Sequence, residues 1–139
     1  LMTVMHRCGW MVMSMEYKFT IPLKPITKKN SQRIVKDKTG RPRIIQSSAY
    51  VKYEKQCAGF MPDIETIESR VNVKAVYYMP NNRRVDLTNL HEALHDILVH
   101  YGVLADDNYK IIVSTDGSYV DVDKWHPRTE VIITELETG

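Results

Sequence analysis

Cysteine is scarce in this sequence. Its two copies, Cys8 and Cys57, form no disulfide framework and no metal-ligand spacing. Long apolar runs are missing too: none approaches the roughly 20 residues that a helix needs to cross a bilayer. Repeats and low-complexity tracts are absent. Charge of one sign is not in excess, since the formal net charge is only +2. These absences exclude a disulfide-stapled scaffold, a helical membrane protein and a solenoid. The cytoplasm is the expected compartment.

What remains is an ordinary soluble composition, with 43% hydrophobic residues in 139. That length fits one domain, which buries roughly two-thirds of its unfolded surface. Residues 1–14 differ from the rest, with methionines crowded around Arg7. They lack the clean apolar core and small-residue cleavage site of a signal peptide. They read as an upstream extension or a cloning remnant, and the domain is expected over 15–139.

Local patterns give an order of elements. Tyr17 to Ile21 alternates as a half-buried strand does. Gln32–Lys36 and Pro42–Gln46 flank the turn Asp37-Lys38-Thr39-Gly40 and predict a hairpin. Ser47 or Ser48 caps a helix to about Phe60. Val71 to Tyr78 predicts a central strand. A second helix, capped by Asp86 or Thr88, runs to about Tyr101, with Gly102 in the left-handed position after it. Tyr109 to Ser114 and Glu130 to Leu136 predict two more strands, with Val131 and Ile133 on one side. The order implies an α+β domain, a single mixed sheet packed by two main helices.

Charge is unevenly placed. Lys24, Lys28, Lys29, Arg33, Lys36, Lys38, Arg41 and Arg43 are opposed only by Asp37. From Asp86 to Asp107 there are five acids and no lysine or arginine. A basic lobe can attract a polyanion, and a separate acidic cluster can hold cations. Two solvated faces of a plain surface would read the same way.

The second helix carries both structure and polar groups. Leu90, Ala93, Leu94, Ile97, Leu98 and Tyr101 fall in one sector and form a core stripe. Asn89, Glu92 and Asp96 share one edge of it. Hard cations such as magnesium take oxygen ligands. Asp86 before the helix, Asn89 and Glu92 on it, and Asp106 and Asp107 after it are the candidate ligands. On this reading the connection through Gly102 returns the chain to the sheet and sets Asp107 beside Asp86. Capping and plain solvation account for the same acids.

A rival motif overlaps them. His91-Glu92-Ala93-Leu94-His95 matches H-E-x-x-H, which sets two imidazoles on one helix face for zinc. The extended form fails, because Leu98 and Tyr101 occupy its glycine and third-histidine positions. Two histidines at the rim of an amphipathic helix are the simpler reading.

Arg83-Arg84-Val85-Asp86-Leu87-Thr88-Asn89-Leu90, then Asp96-Ile97-Leu98, then Gly102-Val103-Leu104-Ala105-Asp106-Asp107-Asn108 resembles the RusA family of Holliday-junction resolvases. Ile21-Pro22-Leu23-Lys24-Pro25, the basic hairpin, Ser47 with Tyr50 and Tyr53, and Pro127 to Val131 extend the likeness. The resemblance implies a RusA-like fold and a homodimer that binds and cuts four-way DNA junctions in recombination and repair, in a phage or prophage setting. It implies magnesium, with manganese as a substitute, held by Asp86 and Asp107 as catalytic acids. Lys24, Lys28, Lys29, Arg33, Lys36, Lys38, Arg41, Arg43, Arg83 and Arg84 are the expected DNA contacts. Two positions depart from the family pattern. Thr88 stands for the second Asp of D-x-D-N, and Glu92 for the lysine three residues beyond the Asn. Glu92 is therefore expected to supply the lost carboxylate, with Arg84 or Lys110 standing in for the lysine. A degenerate site that binds DNA without cutting is the alternative.

Overall fold

The computed structural model describes residues 2–4, 14–28 and 32–136, with side chains at all of these except 2–4, 14, 32, 33 and 46. Eight strands and two α-helices follow in the order β1 Met2–Val4, β2 Ser14–Ile21, β3 Gln32–Lys36, β4 Pro42–Gln46, α1 Ser48–Cys57, β5 Val71–Met79, α2 Leu87–His100, β6 Ile112–Ser114, β7 Tyr119–Val122 and β8 Arg128–Glu135. A single 3-10 turn, Ala58–Phe60, extends α1. The class is α+β with one mixed sheet. No described helix is long and apolar enough to cross a membrane.

The sheet runs β1-β2-β8-β5-β6, with β7 also paired to β5. β1, β2, β8 and β5 are antiparallel in turn, while β6 and β7 both lie parallel to β5. The two share one edge: β6 meets Val71 and Asn72, and β7 meets Val76 to Met79. Between them the chain turns at Gly117, whose φ is +88°. There Ser118 Oγ accepts the Ala75 amide at 2.9 Å, and Asn72 Oδ1 accepts the Asp116 amide at 2.7 Å.

Register places the apolar residues on one face. Tyr17, Ile133 and Val73 lie abreast; so do Phe19, Val131 and Ala75, and then Ile21, Thr129 and Tyr77. A slip of one residue would turn this row to the other face. The helices cover it: Tyr50, Tyr53 and Cys57 of α1 and Leu90, Ala93, Leu94, Ile97 and Leu98 of α2 join the same buried cluster. The helical stripe is the one expected from sequence.

α1 starts at Ser47, whose hydroxyl accepts the Tyr50 amide at 3.2 Å. α2 stops at Gly102 with φ +72°. Gly102 N bonds Val99 O at 3.0 Å and Val103 N bonds Leu98 O at 2.9 Å, the paired bonds of a Schellman end. Val103 and Leu104 then turn into the core, and Leu104 bridges in parallel to Ile67. Residues 1–14 fall largely outside the described set. Within it, Met2, Thr3 and Val4 pair with Glu16, Met15 and Ser14.

Candidate nucleic-acid interface and acidic site

Asp86 occupies the N-cap position of α2 in an extended conformation, yet its side chain makes no capping bond. The backbone carbonyl accepts the Asn89 and Leu90 amides instead, at 3.1 and 3.2 Å. The exposed carboxylate accepts a long hydrogen bond from Asn89 Nδ2, at 3.4 Å. It thus stands at the positive end of the helix without a capping bond to the backbone there. Glu92 is exposed one turn on.

Asp96 is engaged. Its Oδ2 accepts a charge-assisted hydrogen bond from Lys28 Nζ at 2.5 Å. That ammonium also lies 5.8 Å from the centroid of the Tyr50 ring. Lys28, expected among the DNA contacts, is here a counter-ion inside the acidic edge of α2.

Asp106 and Asp107 follow the anchored Leu104. Asp106 Oδ1 accepts the Asp107 amide at 2.7 Å, and its Oδ2 accepts Asn108 Nδ2 at 2.9 Å. It braces its own loop with both oxygens. The carboxyl of Asp107 is raised above the usual carboxylate range, first by burial and then by Asp106 and Asp96. A cation would relieve that repulsion.

Asp86 and Asp107 flank opposite ends of α2. Asp86 follows the end of β5, while Leu104 is held at Ile67, ahead of the start of β5. The 14 residues of α2 lie between them, about 21 Å of helix. Among the described residues, no three His, Cys, Asp or Glu side chains gather at metal-ligand distance. The donor types suit a hard cation.

The histidines sit deeper than the rim. His91 is only 9% exposed, and its Nδ1 shares a 2.7 Å hydrogen bond with the Tyr77 hydroxyl. The His91 and His95 rings stack at 5.4 Å and 8°. Both Nε2 atoms are enclosed without a hydrogen-bond partner among the described residues. Burial lowers both pKa values, that of His95 to about 4. This is a packed neutral pair, not an open zinc face.

Cations flank the acidic segment. Lys24, Arg83 and Arg84 line a groove of about 260 Å³ with Pro25, Asn81 and Val85, directly before Asp86. Arg83 and Arg84 also line a neighbouring groove with Val120 and Val122. β3 and β4 form a separate two-stranded ribbon bearing exposed Lys36, Lys38, Arg41 and Arg43. Its one acid, Asp37, is consumed by the turn. Asp37 Oδ1 accepts the Thr39 hydroxyl at 2.6 Å and the Thr39 and Arg41 amides at 2.9 Å. Those bonds, the hydroxyl foremost, lower its pKa. Lys29 and the side chain of Arg33 lie outside the described residues. Of the two cations named as substitutes for the motif lysine, Arg84 lines the groove and Lys110 is exposed beyond the Asp106 loop. The pairing of Lys28 with Asp96 was not foreseen, because only the folded chain carries Lys28 to α2.

An α+β domain that carries arginine-lined grooves, a basic ribbon and a separate acidic helix edge has the charge layout of a protein that acts on a polyanion. The chain belongs to the RusA endodeoxyribonuclease family: the family model described as Endodeoxyribonuclease RusA matches residues 22–134, the greater part of the sequence. No curated protein matches it.

Proposed function

We propose that the chain resolves four-way DNA junctions by paired phosphodiester hydrolysis, as a homodimer dependent on magnesium or manganese. The observation that carries this reading is Asp86. Its exposed carboxylate makes no capping bond and directly follows the Arg83–Arg84 groove, in a chain of a deoxyribonuclease family.

Lys24, Arg83 and Arg84 hold phosphates on either side of the scissile bond, and the ribbon cations hold a junction arm. Such contacts fix position without reading sequence. Asp86 and Asp107 are the oxygen donors for the metal, with Asn89 and Glu92 extending the set. When bound, a divalent cation supplies activation of water and stabilisation of charge on the phosphate. The water oxygen bonds to phosphorus, the bond to the leaving sugar oxygen breaks, and that oxygen ends protonated.

The places of Asp86 and Asp107 at opposite ends of α2 suit a dimer. Two-fold pairing gives each Asp86 a route to Asp107 of the partner subunit, and two symmetric sites suit a two-fold substrate. The test uses a labelled four-way junction and a matched duplex, with and without magnesium. Paired nicks on the junction are expected, lost in Asp86→Asn and in Asp107→Asn. Mixing the two variants should restore single nicks, since one composite site per mixed dimer keeps both acids. No metal-dependent nicks from the parent chain would sink the proposal.

A second reading is a junction binder that does not cut. Lys28 occupying Asp96 and Thr88 standing at a motif position favour it. Tight junction binding without nicks under the same conditions would select it.

A further inference from the structure

The ribbon carries a feature that charge does not explain. Ile34 and Ile44 are directly opposed across β3 and β4. They are 76% and 67% exposed, although both are large and apolar. Lys36 and Pro42 form the next cross-strand pair on the same face, and Val35 and Arg43 pair on the opposite face. The turn adds Lys38 and Arg41. An isolated two-stranded ribbon is marginal in water and gains little from an apolar pair left wet.

We propose that the Ile34–Ile44 pair is a wedge that packs against base faces parted at the branch point of the junction. The inference rests on the junction reading above. The surrounding charges fit this occupant: Lys36, Lys38, Arg41 and Arg43 are all exposed, and the only acid, Asp37, is bound into the turn. A polyanion is drawn to such a rim, and apolar side chains flanked by cations are what proteins insert between base steps. A two-stranded ribbon also fits a DNA groove. At two strands of five residues, it reaches about 17 Å. Intact duplex hides its base faces by stacking. Pairs bordering a four-way crossover are parted more readily, so the wedge favours junction over duplex.

The test uses Asp86→Asn protein, which holds the junction uncut, and a junction with 2-aminopurine in the pair next to the crossover. Binding should raise the 2-aminopurine fluorescence. Adding Ile34→Ser and Ile44→Ser should remove that rise and weaken junction binding about tenfold. Duplex affinity and the salt slope should be unchanged. Ile34→Leu with Ile44→Leu, which keeps the apolar surface, should retain the signal and guards against a folding defect. Lys38→Glu with Arg41→Glu should instead weaken junction and duplex alike. A fluorescence rise that survives the serine pair overturns the wedge. So does an equal loss on duplex, or a serine variant that turns monomeric without DNA, which would assign the pair to a second copy of the chain. If the parent chain cuts junctions while the serine pair changes nothing, the wedge alone falls. If the parent binds no junction, the function proposed above falls with it.

Discussion

Lys28, from the segment after β2, donates to the carboxylate of Asp96 on α2 and lies over the ring of Tyr50 on α1. One side chain thus ties three parts of the fold to the acidic edge of the second helix. Lys28→Met leaves Asp96 partly buried without its counter-ion, beside the raised Asp107. The fold should lose about 1 kcal/mol in metal-free buffer. Magnesium binding should tighten, because a competing cation is gone. Thermal melts with and without magnesium check both; weaker magnesium binding in the variant would refute the account.

Asp86→Asn should separate function from stability. An N-cap aspartate normally contributes about 1 kcal/mol through its capping bond. Asp86 makes no such bond. The variant should therefore melt within a degree or two of the parent while cleavage falls on the order of a hundredfold or more. A large drop in melting temperature would mean that the side chain supports the helix after all.

His91 and His95 give the fold an acid limit. In the folded chain His95 titrates near about 4, because burial and then His91 disfavour its charged form; burial lowers His91 as well. Unfolded histidine titrates near 6.5. Between these values the unfolded state binds more protons, so stability is full above about pH 6.5 and declines as pH falls toward 4. For His95 the loss is on the order of 3 kcal/mol. Urea unfolding at pH 7 and pH 5 reads about 2 kcal/mol of it, and His95→Gln should flatten the difference. A chain equally stable at both pH values would contradict the packed neutral pair.

Gly102→Ala tests the end of α2. A Cβ there would meet Thr66 Oγ1 at 3.6 Å, an ordinary contact, so space is not the difficulty. The φ of +72° is. A left-handed alanine costs about 1–2 kcal/mol. Relief of that strain would shift the loop bearing Asp106 and Asp107. Cleavage should fall more than stability does, as read by kcat beside the melting temperature.

Much of the fold was legible from residues. The hairpin bounds came from alternation around Asp37-Lys38-Thr39-Gly40, the α2 stripe from its period, and the helix stop from Gly102. The strand expected over Tyr109 to Ser114 begins only at Ile112, because Asn108 first folds the chain: its carbonyl accepts the Ile111 and Ile112 amides. β7 was not foreseen. Tyr119 and Val122 are both about half exposed, and the strand exists through parallel pairing with β5, a long-range event with no local signature. At the site, the place of Asp86 at the start of α2 was legible. The course of the chain from Asp86 to Asp107 was not, since it depends on how α2 crosses between two parallel strands. Nor was the Lys28–Asp96 pair, whose members lie 68 positions apart.

The split edge of β5 has a bearing on solubility. A sheet border of free amides is a template on which other chains add strands. Here that border is two short pieces, Ile112–Ser114 and Tyr119–Val122, interrupted by the Gly117 turn. In the gap, the Ala75 amide is already bonded to Ser118 Oγ. An incoming strand finds no long straight run to copy, so this side of the sheet resists cross-β aggregation.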